Sequence, residues 1–181
     1  MIEGEALVLP PEAAGAAKAY LRVERADEDA LIGGLAEAAA ELCEAFTGRA
    51  LLTRGFVETI PASRAWRRLG RAPVRAITSV EALPAEGPAL ALASEAYGID
   101  IDSEGDGWVR LTDPGATRRI RVGYQAGLAG GWSELPAALR QGVVRLAAHF
   151  YANRTAEAPR EGEPPAAVAA LWRPFRRFRL R

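Results

Sequence analysis

The residues able to do chemistry are sparse in this chain, and their spacing restricts them further. His149 is the only histidine and Cys43 the only cysteine of 181 residues. Nucleophilic catalysis needs a nucleophile, a base beside it and a group that orients the base. Structural zinc needs several Cys or His ligands. His149 precedes the apolar Phe150 in a helical pattern and can assemble neither set, so it is expected to pack or to make a helix-surface hydrogen bond. Cys43 lies between Leu42 and Phe46 and is expected to be a buried, inert thiol. Asp102-Ser-Glu104-Gly-Asp106-Gly107, with Asp113 at the twelfth position, approaches the calcium-loop pattern. Glu104 is too long for its slot, Asp113 stands where a bidentate Glu is needed, and the flanks read as strands, so an acidic turn is expected. Glu37, Glu41 and Glu44 share a helical spacing, but the Glu-x-x-His motif of metal-binding bundles is absent, so an exposed acidic stripe is expected. Gly123-Tyr-Gln-Ala-Gly127 lacks the lysine and spacing of a phosphate loop. No enzyme, no metal and no cofactor is expected.

The other concentrated chemistry is at the C-terminal end. Leu171, Trp172, Arg173, Pro174, Phe175, Arg176, Arg177, Phe178, Arg179, Leu180 and Arg181 place three aromatics at steps of three among five arginines. Aromatics and arginine are the side chains enriched at interface anchors. Three readings follow: a segment that inserts into a partner and orders on binding, aromatics folded back on the domain's own core, or contacts to phosphates and bases. Pro174 argues against one continuous helix here.

Net charge is zero, with 23 basic and 23 acidic residues, so global charge selects no partner. Its distribution is uneven. Residues 1–48 carry ten acids against three bases, whereas the last eleven residues carry five arginines and no acid. Such polarity suits docking between charged faces. A single cysteine forbids an internal disulfide and is consistent with a reducing compartment. No apolar run approaches the ~20 residues of a membrane helix. The acidic start Met1-Ile-Glu-Gly-Glu5 lacks a signal-peptide pattern, and no membrane partner is expected.

The elements that must position these residues read as helices, strands, then helices. Pro10-Pro11 opens a helix over Glu12 to Leu21. Asp27 to Phe46 reads as a second, capped by Asp27 and ended by Gly48, with Leu31, Leu35, Ala38, Leu42 and Phe46 as its apolar face. Gly33 and Gly34 suggest a close helix contact or a bend. Strands are expected at Leu51–Ile60, Ile77–Leu83, Ile99–Ile101, Trp108–Leu111 and Ile120–Tyr124, separated by turn-rich stretches. Pro136 then opens a helix with Leu139, Val143, Leu146 and Phe150 on one face, and a Pro/Glu/Gly-rich linker precedes a short last helix over Ala166 to Trp172. The expected fold is α+β: a helical bundle from the N- and C-terminal parts with an inserted small antiparallel β unit. The expected boundaries are 1–50 for the N-terminal helical part, 51–131 for the β unit, 132–158 for the second long helix, and 159–181 for the linker and tail.

Ala17-Lys-Ala-Tyr-Leu-Arg-Val23, Asp27-Glu-Asp-Ala-Leu-Ile32 and Ala45-Phe-Thr-Gly-Arg49 resemble the N-terminal part of head–tail connector (adaptor) proteins of long-tailed phages and gene transfer agent particles. Pro73-Val-Arg-Ala-Ile-Thr-Ser-Val80 is similar to the strand entry of the subgroup with an inserted β unit. Leu135-Pro-Ala-Ala-Leu-Arg-Gln141 and Leu146-Ala-Ala-His-Phe-Tyr-Ala-Asn-Arg154 are similar to the family's second long helix. The resemblance implies a structural neck protein without catalytic residues. It would form a ring, commonly of twelve copies, between the portal and the stopper or next tail protein, and would extend the DNA channel without sequence-specific binding. It implies a place at the head–tail interface of a particle, after residence in the host cytoplasm. It directs the C-terminal segment 171–181 toward the portal. Glu37, Glu41 and Glu44 on one side and Arg118, Arg119 and Arg121 on the other are the expected contacts between neighbouring copies, on the ground of opposite charge. The alternative function is a nucleic-acid-binding regulator acting through the same C-terminal segment.

Overall fold

The structure is a computed structural model and describes residues 1–153 and 163–177. The chain divides into two compact units, one formed by 1–6 with 53–128 and the other by 7–52 with 129–181. The first six residues therefore join the strands, not the helical part expected for 1–50.

The first unit is built from antiparallel strands. They are β1 (Ile2–Gly4), β2 (Arg54–Pro61), β3 (Arg67–Arg68), β4 (Val74–Leu83), β5 (Leu90–Ala91), β6 (Tyr97–Ile101), β7 (Gly107–Leu111) and β8 (Arg119–Ala126). One sheet has the order β1-β2-β8-β4-β5 and a smaller one the order β3-β7-β6. The alternation expected around Ile120, Val122 and Tyr124 holds, since all three are buried. Strand registers put Phe56 opposite Tyr124, Ile60 opposite Ile120 and Val80 opposite Val122, so β2 and β4 supply the same core face. In β6 the alternation misleads: Ile99 and Ile101 are exposed, while Val109 and Leu111 of β7 carry the burial.

The second unit is helical. It contains α1 (Pro11–Leu21), α2 (Asp29–Thr47), α3 (Ala137–Ala152) and α4 (Ala166–Trp172), with α2 packed against the other three. Pro11 opens α1 as expected, and Arg22 closes it in the left-handed conformation at φ 57°. A 3-10 turn over Ala26–Glu28 leads into α2, and Gly48 at φ 69° ends that helix by donating its N–H to Glu44 O.

The apolar face expected for α2 is displaced by one residue. The buried face is Ile32, Ala36, Ala39, Ala40, Cys43 and Thr47, while Leu31 is 45% exposed and Leu35, Leu42 and Phe46 are half-buried. One residue is about 100° on a helix, enough to turn the larger side chains off the core. The alanines let neighbouring backbones approach closely. Gly33 and Gly34 serve no such approach, because a Cβ at either would meet open space. The close contact is at Gly142 instead, where a Cβ would collide with the Trp172 indole. In α3 the expected face is largely correct: Leu139, Val143 and Leu146 are buried and Phe150 half-buried.

Trp172 is fully buried, its ring 5.9 Å from that of Phe46 and its indole Nε1 donating to Leu139 O at 3.4 Å. Trp172→Ala is therefore expected to destabilise the protein by about 3–5 kcal/mol, the usual range for a large aromatic truncated in a core. Equilibrium denaturation of the full chain measures this directly; a change below ~1 kcal/mol would contradict the packing described.

Candidate partner-binding surfaces

The residues that the sequence weighed for catalysis and metal binding have local structural roles. Cys43 is wholly buried in α2, and burial, with the neighbouring Glu44 charge, pushes its thiol pKa well above the ordinary range. It is buried as expected. His149 lies on α3, where its Nδ1 is 3.2 Å from Asn153 Nδ2, a helix-surface hydrogen bond. Asp102 organises the β6–β7 turn. Its Oδ1 accepts the N–H groups of Glu104 at 3.0 Å and Asp106 at 2.8 Å, and its Oδ2 accepts the Trp108 indole N–H at 2.9 Å. Asp106 faces Arg68 at 3.3 Å, and Asp113 pairs with Arg64 at 2.8 Å instead of joining the turn. That guanidinium, with the Gly115 N–H, holds the Asp113 carboxyl below its usual range. Among the described residues no group of three or more His, Cys, Asp or Glu is placed to hold a metal ion.

Two buried carboxylates were not legible as such. Glu44 was expected on an exposed acidic stripe with Glu37 and Glu41, but it is only 6% exposed and accepts the Leu51 N–H at 2.7 Å. It secures the chain just beyond α2 and does not reach the surface. Glu58 on β2 accepts the Tyr124 hydroxyl at 3.0 Å and the Gly70 N–H at 2.8 Å. Burial, reinforced by the Glu58 charge, drives the Tyr124 phenol pKa upward, so Tyr124 stays a neutral donor.

The C-terminal segment splits in two. Trp172, expected as a partner anchor, is core in its own unit, where Gly142 leaves the space that its indole fills. Leu171 is half-buried at the end of α4. Beyond it the backbone is held down: Arg49 Nε donates to Phe175 O at 2.9 Å, and the Arg177 N–H donates to Thr47 O at 2.8 Å. The charged groups stay outside. Arg173 and Arg176 are exposed, and Arg176 lies over the Phe46 ring, 5.4 Å from its centroid. Both line a cleft of about 610 Å³ with Phe46, Ala166 and Glu163. Phe178, Arg179, Leu180 and Arg181 lie outside the described residues.

The expected subunit-contact residues are only partly free. Glu41 is exposed and Glu37 half-buried on α2. Arg118 and Arg119 are exposed in the first unit. Arg121 is already engaged, with its Nε 2.6 Å from Glu81 Oε2, and the pair raises the Arg121 pKa. It sits on the outer face of the larger sheet beside Gly123, where a Cβ would come within 2.5 Å of Ser79 Oγ. Among the described residues no helix is long and apolar enough to cross a membrane.

Because both Asp102 carboxylate oxygens are occupied by protein donors, calcium is expected to leave the thermal midpoint unchanged. Asp102→Ala is expected to lower stability by about 1–3 kcal/mol through loss of the turn and the Trp108 hydrogen bond. Thermal denaturation with and without calcium separates the two effects; a calcium-dependent rise in midpoint would reverse the assignment.

No family model and no curated protein matches the chain. Solved structures do. A chain in the neck of an empty GTA particle computed with C6 symmetry shares the fold at a TM-score of 0.78, with 27% identity over 99% of this chain and 97% of that one. A chain in the virion of a native gene transfer agent (GTA) particle matches at 0.75 with 27% identity, over the same shares of both chains. A chain in the neck of a native GTA particle computed with C12 symmetry matches at 0.73 with 26% identity, again over 99% and 97%. The α+β fold, shared with chains of gene transfer agent particles, two of them particle necks, over nearly the whole of both chains, supports a structural role in a particle neck and not an enzymatic one.

Proposed function

We propose that this protein is the adaptor of a phage-like particle neck, repeated in a ring that joins the portal to the stopper and tail and continues the DNA channel. The observation that carries this reading is the near-complete shared fold with chains in necks of C6 and C12 symmetry. Ring closure needs a heterologous contact, with one face of each copy meeting a different face of the next. The exposed Glu41 and half-buried Glu37 offer the acidic side of such a contact, and the exposed Arg118 and Arg119 are candidates for the basic side. Glu44 and Arg121 are omitted because they have partners within the chain. DNA passing through the ring would meet the protein without base-specific contacts.

The portal-facing surface is proposed to be Arg173, Phe175, Arg176 and Arg177, with the sequence continuing into Phe178–Arg181. Docked on α2 and α4, the described part needs little further ordering when it binds, which lowers the entropic cost of association. Leu171 and Trp172 would support this surface from below.

Truncation after Arg177 is expected to leave the thermal midpoint unchanged and to weaken co-purification with portal at least tenfold. Arg173→Glu with Arg176→Glu is expected to do the same. Normal portal binding by both variants would overturn the assignment of this surface. Truncation before Trp172 is no substitute, because it would remove part of the core. Tailed particles formed at normal yield without this protein would overturn the adaptor reading itself.

A further inference from the structure

Helix α2 is apolar nearly all round. Between Ala30 and Thr47 its only charged side chains are Glu37, Glu41 and Glu44, and Glu44 is turned inward. One face is spent on the bundle through Ile32, Ala36, Ala39, Ala40 and Cys43. The opposite side carries Leu31, Gly34, Ala38 and Ala45, all exposed, flanked by the half-buried Leu35 and Leu42. A helix face facing water for the life of a protein is ordinarily polar. This one has a single exposed charge in its middle, Glu41.

Helix α3 shows the complementary pattern. It has no acidic side chain, and its outward face is formed by Ala137, Gln141, Arg145 and Ala152. Glu41 and Arg145 are both exposed, and neither has an ion-pair partner among the described residues. Both helices belong to the same compact unit. Small residues on both faces let two helix backbones approach closely, as an interhelical contact requires.

We infer that the outer face of α2 in one copy packs against the outer face of α3 in the next copy, with Glu41 opposite Arg145. This rests on the ring proposed above and names its subunit contact. A symmetric α2-to-α2 contact is disfavoured because it would bring Glu41 toward Glu41. A helix of 19 residues is about 28 Å long. One such face covers on the order of 300 Å², well below the roughly 800 Å² per partner of a stable standard interface. The contact is therefore weak in a solution pair and is made to persist by ring closure.

The test uses intact particles carrying Ala38→Cys and Gln141→Cys, two exposed positions; the native Cys43 is buried and does not compete. Under mild oxidation the double variant is expected to give a ladder of cross-linked copies, and each single variant only monomer. A double variant that stays monomeric in tailed particles would overturn the contact, as would a ladder from Ala38→Cys alone. Independently, Glu41→Arg and Arg145→Glu are each expected to cut the yield of tailed particles at least tenfold while keeping the wild-type thermal midpoint. Their combination is expected to restore the yield. Restoration of Glu41→Arg by Arg118→Glu with Arg119→Glu would assign the basic side to the sheet unit and sink the α3 contact while leaving the ring intact. Necks that assemble normally without the protein would sink the ring reading as well.

Discussion

The helical unit depends on one close approach, the Trp172 indole seated over Gly142. No other residue fits at 142, because even a methyl group would enter the indole. With that space open, Trp172 reaches Leu139 O and the Phe46 ring, tying α3, α4 and the end of α2 together. The 3-10 turn over Arg173–Phe175 then delivers Phe175 O to Arg49 and the Arg177 N–H to Thr47 O. The position of the surface arginines is thus a consequence of a buried aromatic contact. This reverses the usual expectation for a basic, aromatic chain end after a Pro-rich stretch, which composition alone assigns to disorder.

The same economy of size explains α2. Periodicity gives weight to leucine and phenylalanine, so Leu31, Leu35, Leu42 and Phe46 look like the core face. Burial depends on the space available as well as on hydrophobicity. Where α1, α3 and α4 all crowd one helix, the residues that fit beneath them are, apart from Ile32 and the hydrogen-bonded Glu44, alanines, a cysteine and a threonine. The alanine face and the leucine face are both apolar, and their order of burial is set by neighbours far away in sequence. That information is absent from a local window.

Elements with strong local signals were legible. Pro11, Gly48, the alternation in β8 and the turn around Asp102 each have a mechanism that acts within a few residues. What escaped was non-local. β1 is three exposed residues, Ile2–Gly4, whose strand character comes only from pairing with Phe56, Val57 and Glu58 on β2. Glu44 reads as a surface charge, and nothing local marks Glu58 as buried, until Leu51, Gly70 and Tyr124 are seen to donate to them. A buried carboxylate is tolerated only when donors converge on it, and convergence is a property of the fold. The C-terminal segment was half legible for the same reason: the arginine cluster shows in sequence, whereas the division of 171–177 into a buried Trp172 and exposed charge does not.

In the ring proposed above, each copy would have to fold and still present a surface to its neighbours. The distribution of side chains in α2 suits both. Placing Ile32 and the small residues inside leaves Leu31 exposed and Leu35 and Leu42 only half-buried. The leucines and exposed alanines then remain as apolar surface whose burial is worth roughly 25 cal/mol per Å² once another copy covers it. Over a few hundred Å² that is a modest gain, offset in a free pair by lost translational and rotational freedom. In the proposed ring, a copy held on the particle would offer its neighbour anchored surfaces, and the same small contacts would act together. Weak contacts of this kind favour assembly on the particle over premature association in solution.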